Sequence, residues 1–274
     1  MDFLFVFKIS QCYIVLMKTS VNLYFEKNID TKTKMNTIKA LGYDEFFTGI
    51  YDKEETLTFA EQMQYAQEIG LPCTMVHCAY YEPGLNDFWL PGEAGEKITD
   101  DYIQQIHQCG NLTKNFVVHL HGSFASTTSE IGLRRLKRIL KVCEKYGLNL
   151  CIENVFSATE IPYIFSHIQH PLLKICYDTG HRNYLTPSFS PCENYAQFVA
   201  VLHLHENDGS YDQHNMLTIN GSIFNQLKYE LDSIKKDVVL TAELKNIGKD
   251  WQTYLQKNLD SLRRLNEFIR KDRV

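Results

Sequence analysis

The chain has 274 residues, of which 44% are hydrophobic and 22% charged, and a formal net charge of -5. That length and apolar content are enough to bury a large core, which excludes disorder and leaves one large α/β barrel or two smaller domains. The acidic balance supplies no general basic face, so a nucleic-acid partner is not expected.

The first sixteen residues, MDFLFVFKISQCYIVL, are apolar but interrupted by Lys8, Ser10 and Gln11, and no small-residue cleavage site follows. They read as neither a signal peptide nor a membrane span. The run from Met17, MKTSVNLYF, looks like a natural opening. Residues 1–16 are therefore read as an extension or an over-called start, and residues 17–274 as the catalytic domain.

From Val21 onward, β-type runs alternate with amphipathic stretches. The expected strands are Val21–Phe25, Glu45–Thr48, Cys73–His77, Phe116–His121, Leu148–Glu153, Lys174–Asp178, Val201–His205 and Val238–Glu243. Helices are expected over Thr56–Ile69, Asp101–Cys109, Gly132–Tyr146 and Trp251–Lys271. In the third of these, Leu133, Leu136, Ile139, Leu140 and Cys143 recur at three- and four-residue steps, the mark of a helix burying one stripe. Strands such as FVVHL and VVLTA are almost continuously apolar, as expected when helices cover the sheet. Eight such runs with helices between them and no linker predict a single parallel (β/α)8 TIM barrel. A doubly wound open sheet is the rival, but the place of its glycine-rich phosphate loop holds Phe25-Glu26-Lys27-Asn28.

Eight cysteines (Cys12, Cys73, Cys78, Cys109, Cys143, Cys151, Cys176 and Cys192) form no C-x-x-C pair, and several sit in apolar runs such as LCIEN and ICYDT. They read as buried, reduced thiols of a cytoplasmic protein.

Ligand-type residues gather where the β-runs end: His77, His119 or His121, Glu153, Asp178, His181, His205, Asp212, His214 and Glu243. In a barrel those ends converge on the face that carries active sites. Of ten histidines, seven lie at or just beyond these ends, which random placement would not produce. A lone strand histidine such as His203 or His119 reads first as hydrogen-bonded core. Glu153, Asp178 and Glu243 are different, because an unpaired carboxylate at the end of an apolar strand is costly to bury. Nitrogen and carboxylate donors without thiolate suit Zn²⁺, Mn²⁺ or Co²⁺, with Mg²⁺ also open. Glu153 and Glu243 are expected to approach a substrate from opposite sides as base and acid.

The segments VHCAYYEPGLN, VVHLHGS, LCIENV, CYDTGH, LHLHENDGSYDQH and LTAELK resemble the xylose isomerase-like TIM-barrel superfamily. This superfamily holds sugar and sugar-phosphate isomerases and epimerases as well as the endonuclease-IV-type AP endonucleases, and the resemblance runs from Met17 to the last helix. It implies that Glu153, Asp178, His205 and Glu243 match the single-metal set of the epimerases. It also implies that His77, a histidine of the fourth strand, His181, Asp212 and His214 match the further ligands of a trinuclear zinc site. In HLHEND, the family spacing favours His205 with Asp208 over His203. In VVHLHGS, the following Gly-Ser favours His121, with His119 left open.

The short loop NDGSYDQH has no lysine after the Asn-Asp pair, unlike the endonucleases. With the acidic total, this makes a metal-dependent isomerase or epimerase acting on a carbohydrate the leading expectation, and AP-endonuclease chemistry the alternative. The glycine-rich loop Tyr80–Lys97 offers Trp89 or Phe88 to stack on a sugar and Asn86 to bind its hydroxyls; an aromatic tucked into the core is the equal reading. Arg182 and Lys245 flank presumed ligands and are candidates for substrate oxygens, together with whichever of His119 and His121 is not a ligand. Many relatives pair through barrel helices, so a homodimer is compatible with the resemblance.

Overall fold

Eight parallel strands carry the chain: β1 (Thr19–Asn22), β2 (Glu45–Gly49), β3 (Cys73–His77), β4 (Asn115–Val118), β5 (Asn149–Glu153), β6 (Leu173–Asp178), β7 (Val199–His203) and β8 (Leu240–Ala242). The computed structural model describes residues 17–50, 55–79, 84–124, 127–234 and 238–271. The extension expected over residues 1–16 and the start of the glycine-rich loop, residues 80–83, lie outside the described residues.

From β1 to β7 each strand pairs with the next in sequence, and β1 also pairs with β8. The ring is drawn together by the Leu204–Ala242 bridge, where Leu204 N donates to Thr241 O (2.8 Å) and Glu243 N to Leu204 O (3.2 Å). A nearly closed (β/α)8 TIM barrel results, as the alternating pattern predicts. The helices are α1 (Thr31–Leu41), α2 (Phe59–Ile69), α3 (Glu93–Cys109), α4 (Glu130–Cys143), α5 (Glu160–His167), α6 (Thr179–Tyr184), α7 (Pro191–Asn194), α8 (Ser222–Ser233) and α9 (Trp251–Lys271). Their starts follow local chemistry. At α2, Thr58 and Glu61 form a reciprocal capping box, and Gly70 closes the helix at φ +65°.

Alternation along the strands divides the side chains into two sets. One set faces the helices and joins the main core, as Phe116, Val118, Ile152, Leu202 and Leu204 do. The other fills the barrel: Phe47, Met75, Val117, Cys151, Cys176 and Val201 form a separate apolar layer with exposures of 0–1%. One pleat further along the same strands come His77, His119, Glu153, Asp178 and His203. The apolar layer is thus the dry floor of a polar site.

The glycine-rich loop is more ordered than expected. It forms a 3-10 turn (Gly84–Trp89) and then enters α3 at Glu93 rather than Asp101. Of the two readings held open for its aromatics, the structure shows the one tucked into the core: Phe88 and Trp89 are buried at 0% and 1% exposure. Trp89 Nε1 donates to Leu120 O (2.8 Å), so this ring belongs to the core and is not available to a sugar.

Candidate metal centre

The carboxyl ends of β3 to β8 bring together four carboxylates and six imidazoles. Glu153, at the end of β5, is the hub. Its Oε2 lies 3.2 Å from His77 Nε2 and 3.0 Å from His119 Nε2; its Oε1 lies 3.0 Å from His181 Nδ1 and 3.2 Å from His203 Nδ1. Across the pocket, Glu243 Oε2 is 3.2 Å from His203 Nδ1, while Tyr24 OH donates to Glu243 Oε1 (2.7 Å). Asp178 caps α6 by accepting from His181 N (2.6 Å), and its backbone is held by Asn154 through two hydrogen bonds of 2.8 and 2.9 Å. Beyond it, His214 Nε2 is 2.6 Å from Asp212 Oδ2, and Lys245 Nζ is 2.8 Å from His214 Nε2.

These groups fall into sets whose ligand atoms lie within 4.8 Å of one another: His77, His119 and Glu153; Glu153, Asp178, His203 and Glu243; His181, Asp212 and His214; and His205, His214 and Glu243. Cys176 also approaches Glu153 and His203 from the floor.

The structure resolves both histidine ambiguities of position. His203, not His205, stands among Glu153, Asp178 and Glu243. His205 sits one pleat further out, with Nε2 3.0 Å from Asp178 Oδ2 and its ring stacked on His214 at 4.1 Å. Gly180 permits this, since a Cβ there would lie 1.9 Å from His205 Cε1. Both histidines share the inward face, so alternation alone could not separate them. Similarly, His119 reaches Glu153 while His121 does not. β4 ends at Val118, the chain turns outward, and His121 packs behind the strand against Glu160 (2.6 Å) and Trp89. The preference for His121 is corrected to His119 on that geometry, and His119 contacts a carboxylate rather than standing free for substrate.

The remaining expectations distribute plainly. Asn86 holds the segment after β4, accepting from Gly122 N (2.9 Å) and donating to Ser123 Oγ (2.6 Å). Arg182 is turned to Glu230 (3.4 Å). Lys245 borders the outer set. Tyr24 and Glu160 were missed; inward alternation with Ser20 and Asn22 was the available signal for Tyr24, and Glu160 had none.

Electrostatics follow from crowding. Burial pushes the Glu153 carboxyl up, but His203 and His119 outweigh it and hold it well below the usual range. Burial likewise opposes ionisation of Glu243, yet His203 and His214 pull it down to about 2. Asp178 and Asp212 are held below the ordinary range against burial, the first by His181 and His205, the second by His181 and His214. At His181 and His203 burial lowers the pKa but the facing carboxylates raise it far more. At His77, burial is overcome by the Cys78 side chain and Glu153, which raise it to about 10. Burial prevails at His119 and His214, which are lowered.

The donor set fits divalent cations. His203 Nε2, His205 Nδ1, His214 Nδ1 and Asp212 Oδ1 are buried without a hydrogen-bond partner among the described residues. Four carboxylates so close together also require positive charge between them, which protonated His77, His181 and His203 supply in the metal-free chain and a cation would replace.

Fold and site define a TIM barrel with a buried imidazole–carboxylate centre at the carboxyl ends of its strands. The sequence profile of the xylose isomerase-like TIM barrel family matches residues 30–265, and the chain belongs to that family. A protein of Methanocaldococcus jannaschii whose function is uncharacterised is 21% identical over 197 residues, covering 68% of this chain and 76% of the relative. Among solved structures, a D-tagatose 3-epimerase-like protein superposes with a TM-score of 0.73 at 18% identity, covering 94% of this chain and 100% of the other. An L-ribulose 3-epimerase gives 0.77 at 12% identity, covering 94% and 97%. A D-psicose 3-epimerase of Clostridium cellulolyticum H10 gives 0.69 at 16%, covering 93% and 99%. Among the described residues no helix is long and apolar enough to cross a membrane.

Proposed function

We propose that the protein is a metal-dependent isomerase or epimerase of a sugar or sugar phosphate, moving a proton at a carbon next to a carbonyl. The observation that carries this reading is the pairing of Glu153 and Glu243, each 3.2 Å from His203 Nδ1 and grouped with Asp178 above a dry floor. Glu153, Asp178, His203 and Glu243 would hold the central ion. When bound, a divalent cation there polarises a substrate carbonyl or hydroxyl.

The two glutamates divide the work. Glu243, ionised and with one oxygen oriented by Tyr24, removes the proton. Glu153, itself ionised, passes to the other side of the carbon a proton held by His181, whose Nδ1 lies 3.0 Å from its Oε1 and whose pKa is raised well above the ordinary imidazole value. The superposed structures include epimerases of keto sugars, which supports the same chemistry. The test is solvent deuterium exchange into a panel of ketoses, aldoses and their phosphates with the metal-loaded protein. Glu243→Gln should lower the exchange rate on the order of 10²–10⁴-fold. A panel that stays wholly unexchanged would end this reading.

A second reading has its own observation. His77 with His119, and His181 with Asp212 and His214, supply two ligand sets beyond the central one, joined to it through Glu153 and Asp178. Three ions in such an array suit hydrolysis of a phosphodiester at an abasic site. The net charge of -5 opposes a tight grip on DNA. Salt-sensitive nicking of an abasic duplex with an inert sugar panel would favour it.

A further inference from the structure

After β4 ends at Val118, the next four residues leave the sheet, and each is held from outside. His119 O accepts from Tyr102 OH (2.7 Å), and Leu120 O accepts from Trp89 Nε1 (2.8 Å). His121 Nδ1 lies 2.6 Å from Glu160 Oε1, and Gly122 N donates to Asn86 Oδ1 (2.9 Å). The holding elements are themselves fixed. The Trp89 ring lies so close on Gly132 that a Cβ there would come within 2.1 Å. Arg135 Nη1 donates to the carbonyls of Asp87, Phe88 and Leu90 (3.1, 2.7 and 2.7 Å).

The His121–Glu160 pair is the unusual part. Both side chains have no exposed surface, and their nitrogens and oxygens have no hydrogen-bond partner among the described residues apart from this close contact. A well-packed apolar pair would be at least as stable in such a place. What the polar pair adds is a fixed address, tying the residue two beyond His119 to the first turn of α5.

We infer that Glu160 and Asn86 are positioning residues that set His119, and through it the ligand set of His77, His119 and Glu153. The inference rests on the second reading, in which the set of His77, His119 and Glu153 holds an ion of its own beside the central one. It is selective, because the central set of Glu153, Asp178, His203 and Glu243 contains no residue of β4 or of the segment after it.

The experiment is a zinc titration by calorimetry with elemental analysis, run on the full chain as wild type, Glu160→Ala, Glu160→Gln and Asn86→Ala. Loss of a partner bonded directly to a ligand weakens metal binding about 10- to 100-fold, so partners acting through the neighbouring residues His121 and Gly122 should act at the lower end, about 10-fold. Glu160→Ala and Asn86→Ala should therefore weaken one zinc by that factor and leave the others unchanged. Glu160→Gln keeps an acceptor oxygen for His121 and should recover most of the loss. Half-buried Asn86 carries the test if Glu160→Ala does not fold. Equal weakening of every ion, or of none, overturns the inference while leaving the centre standing. A wild type that takes up no zinc removes the centre itself, and the inference with it.

Discussion

Gly180→Ala probes the tightest approach in the centre. Gly180 is the second residue of α6 and is not in the left-handed region, so alanine is acceptable to its backbone. The obstacle is steric: the new Cβ would lie 1.9, 2.4 and 2.6 Å from Cε1, Nδ1 and Nε2 of His205. The ring has no easy retreat. It stacks on His214 at 4.1 Å and 9°, its Nε2 lies 3.0 Å from Asp178 Oδ2, and its backbone N donates to Thr179 Oγ1 (3.2 Å). Overpacking of this kind costs about 1–3 kcal/mol. In a chain of this size that corresponds to a Tm drop of about 2–10 °C. Displacing His205 also disturbs His214 and Asp178, so zinc uptake should weaken in the same variant. Gly147→Ala is the control: φ is +62° and nothing lies within 4 Å, so it brings backbone strain of about 1–2 kcal/mol without touching the centre. The assays are thermal unfolding of the metal-free protein followed by circular dichroism, and zinc titration. Wild-type Tm and zinc affinity in Gly180→Ala would refute the packing described here.

Metal binding should release protons, because His77 is raised to about 10 and is protonated at neutral pH in the metal-free chain. Zinc affinity should rise from pH 6 to pH 8, and calorimetry in buffers of different ionisation enthalpy should count the released protons; a pH-independent affinity would contradict this. In the metal-free protein the stabilisation from protonated His77, through Cys78 and Glu153, is complete below the ordinary imidazole value of 6.5 and is lost as pH rises through about 10. The Tm should fall over that window, and Glu153→Gln should flatten the profile. Glu243 works at the other end, contributing above 4.5 and losing its contribution as pH falls through about 2. Trp89→Ala should cost about 3–5 kcal/mol in urea unfolding, as for a large core ring; a loss confined to substrate affinity would return Trp89 to the site.

The sequence alone determined the barrel and the face where its chemistry lies. Apolar runs followed by helix-period stretches leave few ways to bury both, and a carboxylate such as Glu153 or Glu243 at the end of such a run is costly without a partner. These are local properties, visible residue by residue. The choice of His203 over His205, and of His119 over His121, was decided only by tertiary structure. Both pairs have spacing two, so a strand points their members the same way; where β4 stops, and how far β7 reaches across the ring, depend on neighbouring strands. Trp89 shows the same limit: an aromatic in a glycine-rich loop reads equally as exposed or buried in sequence, and its fate was set by Gly132, which lies on a helix more than forty residues away and leaves room for the ring.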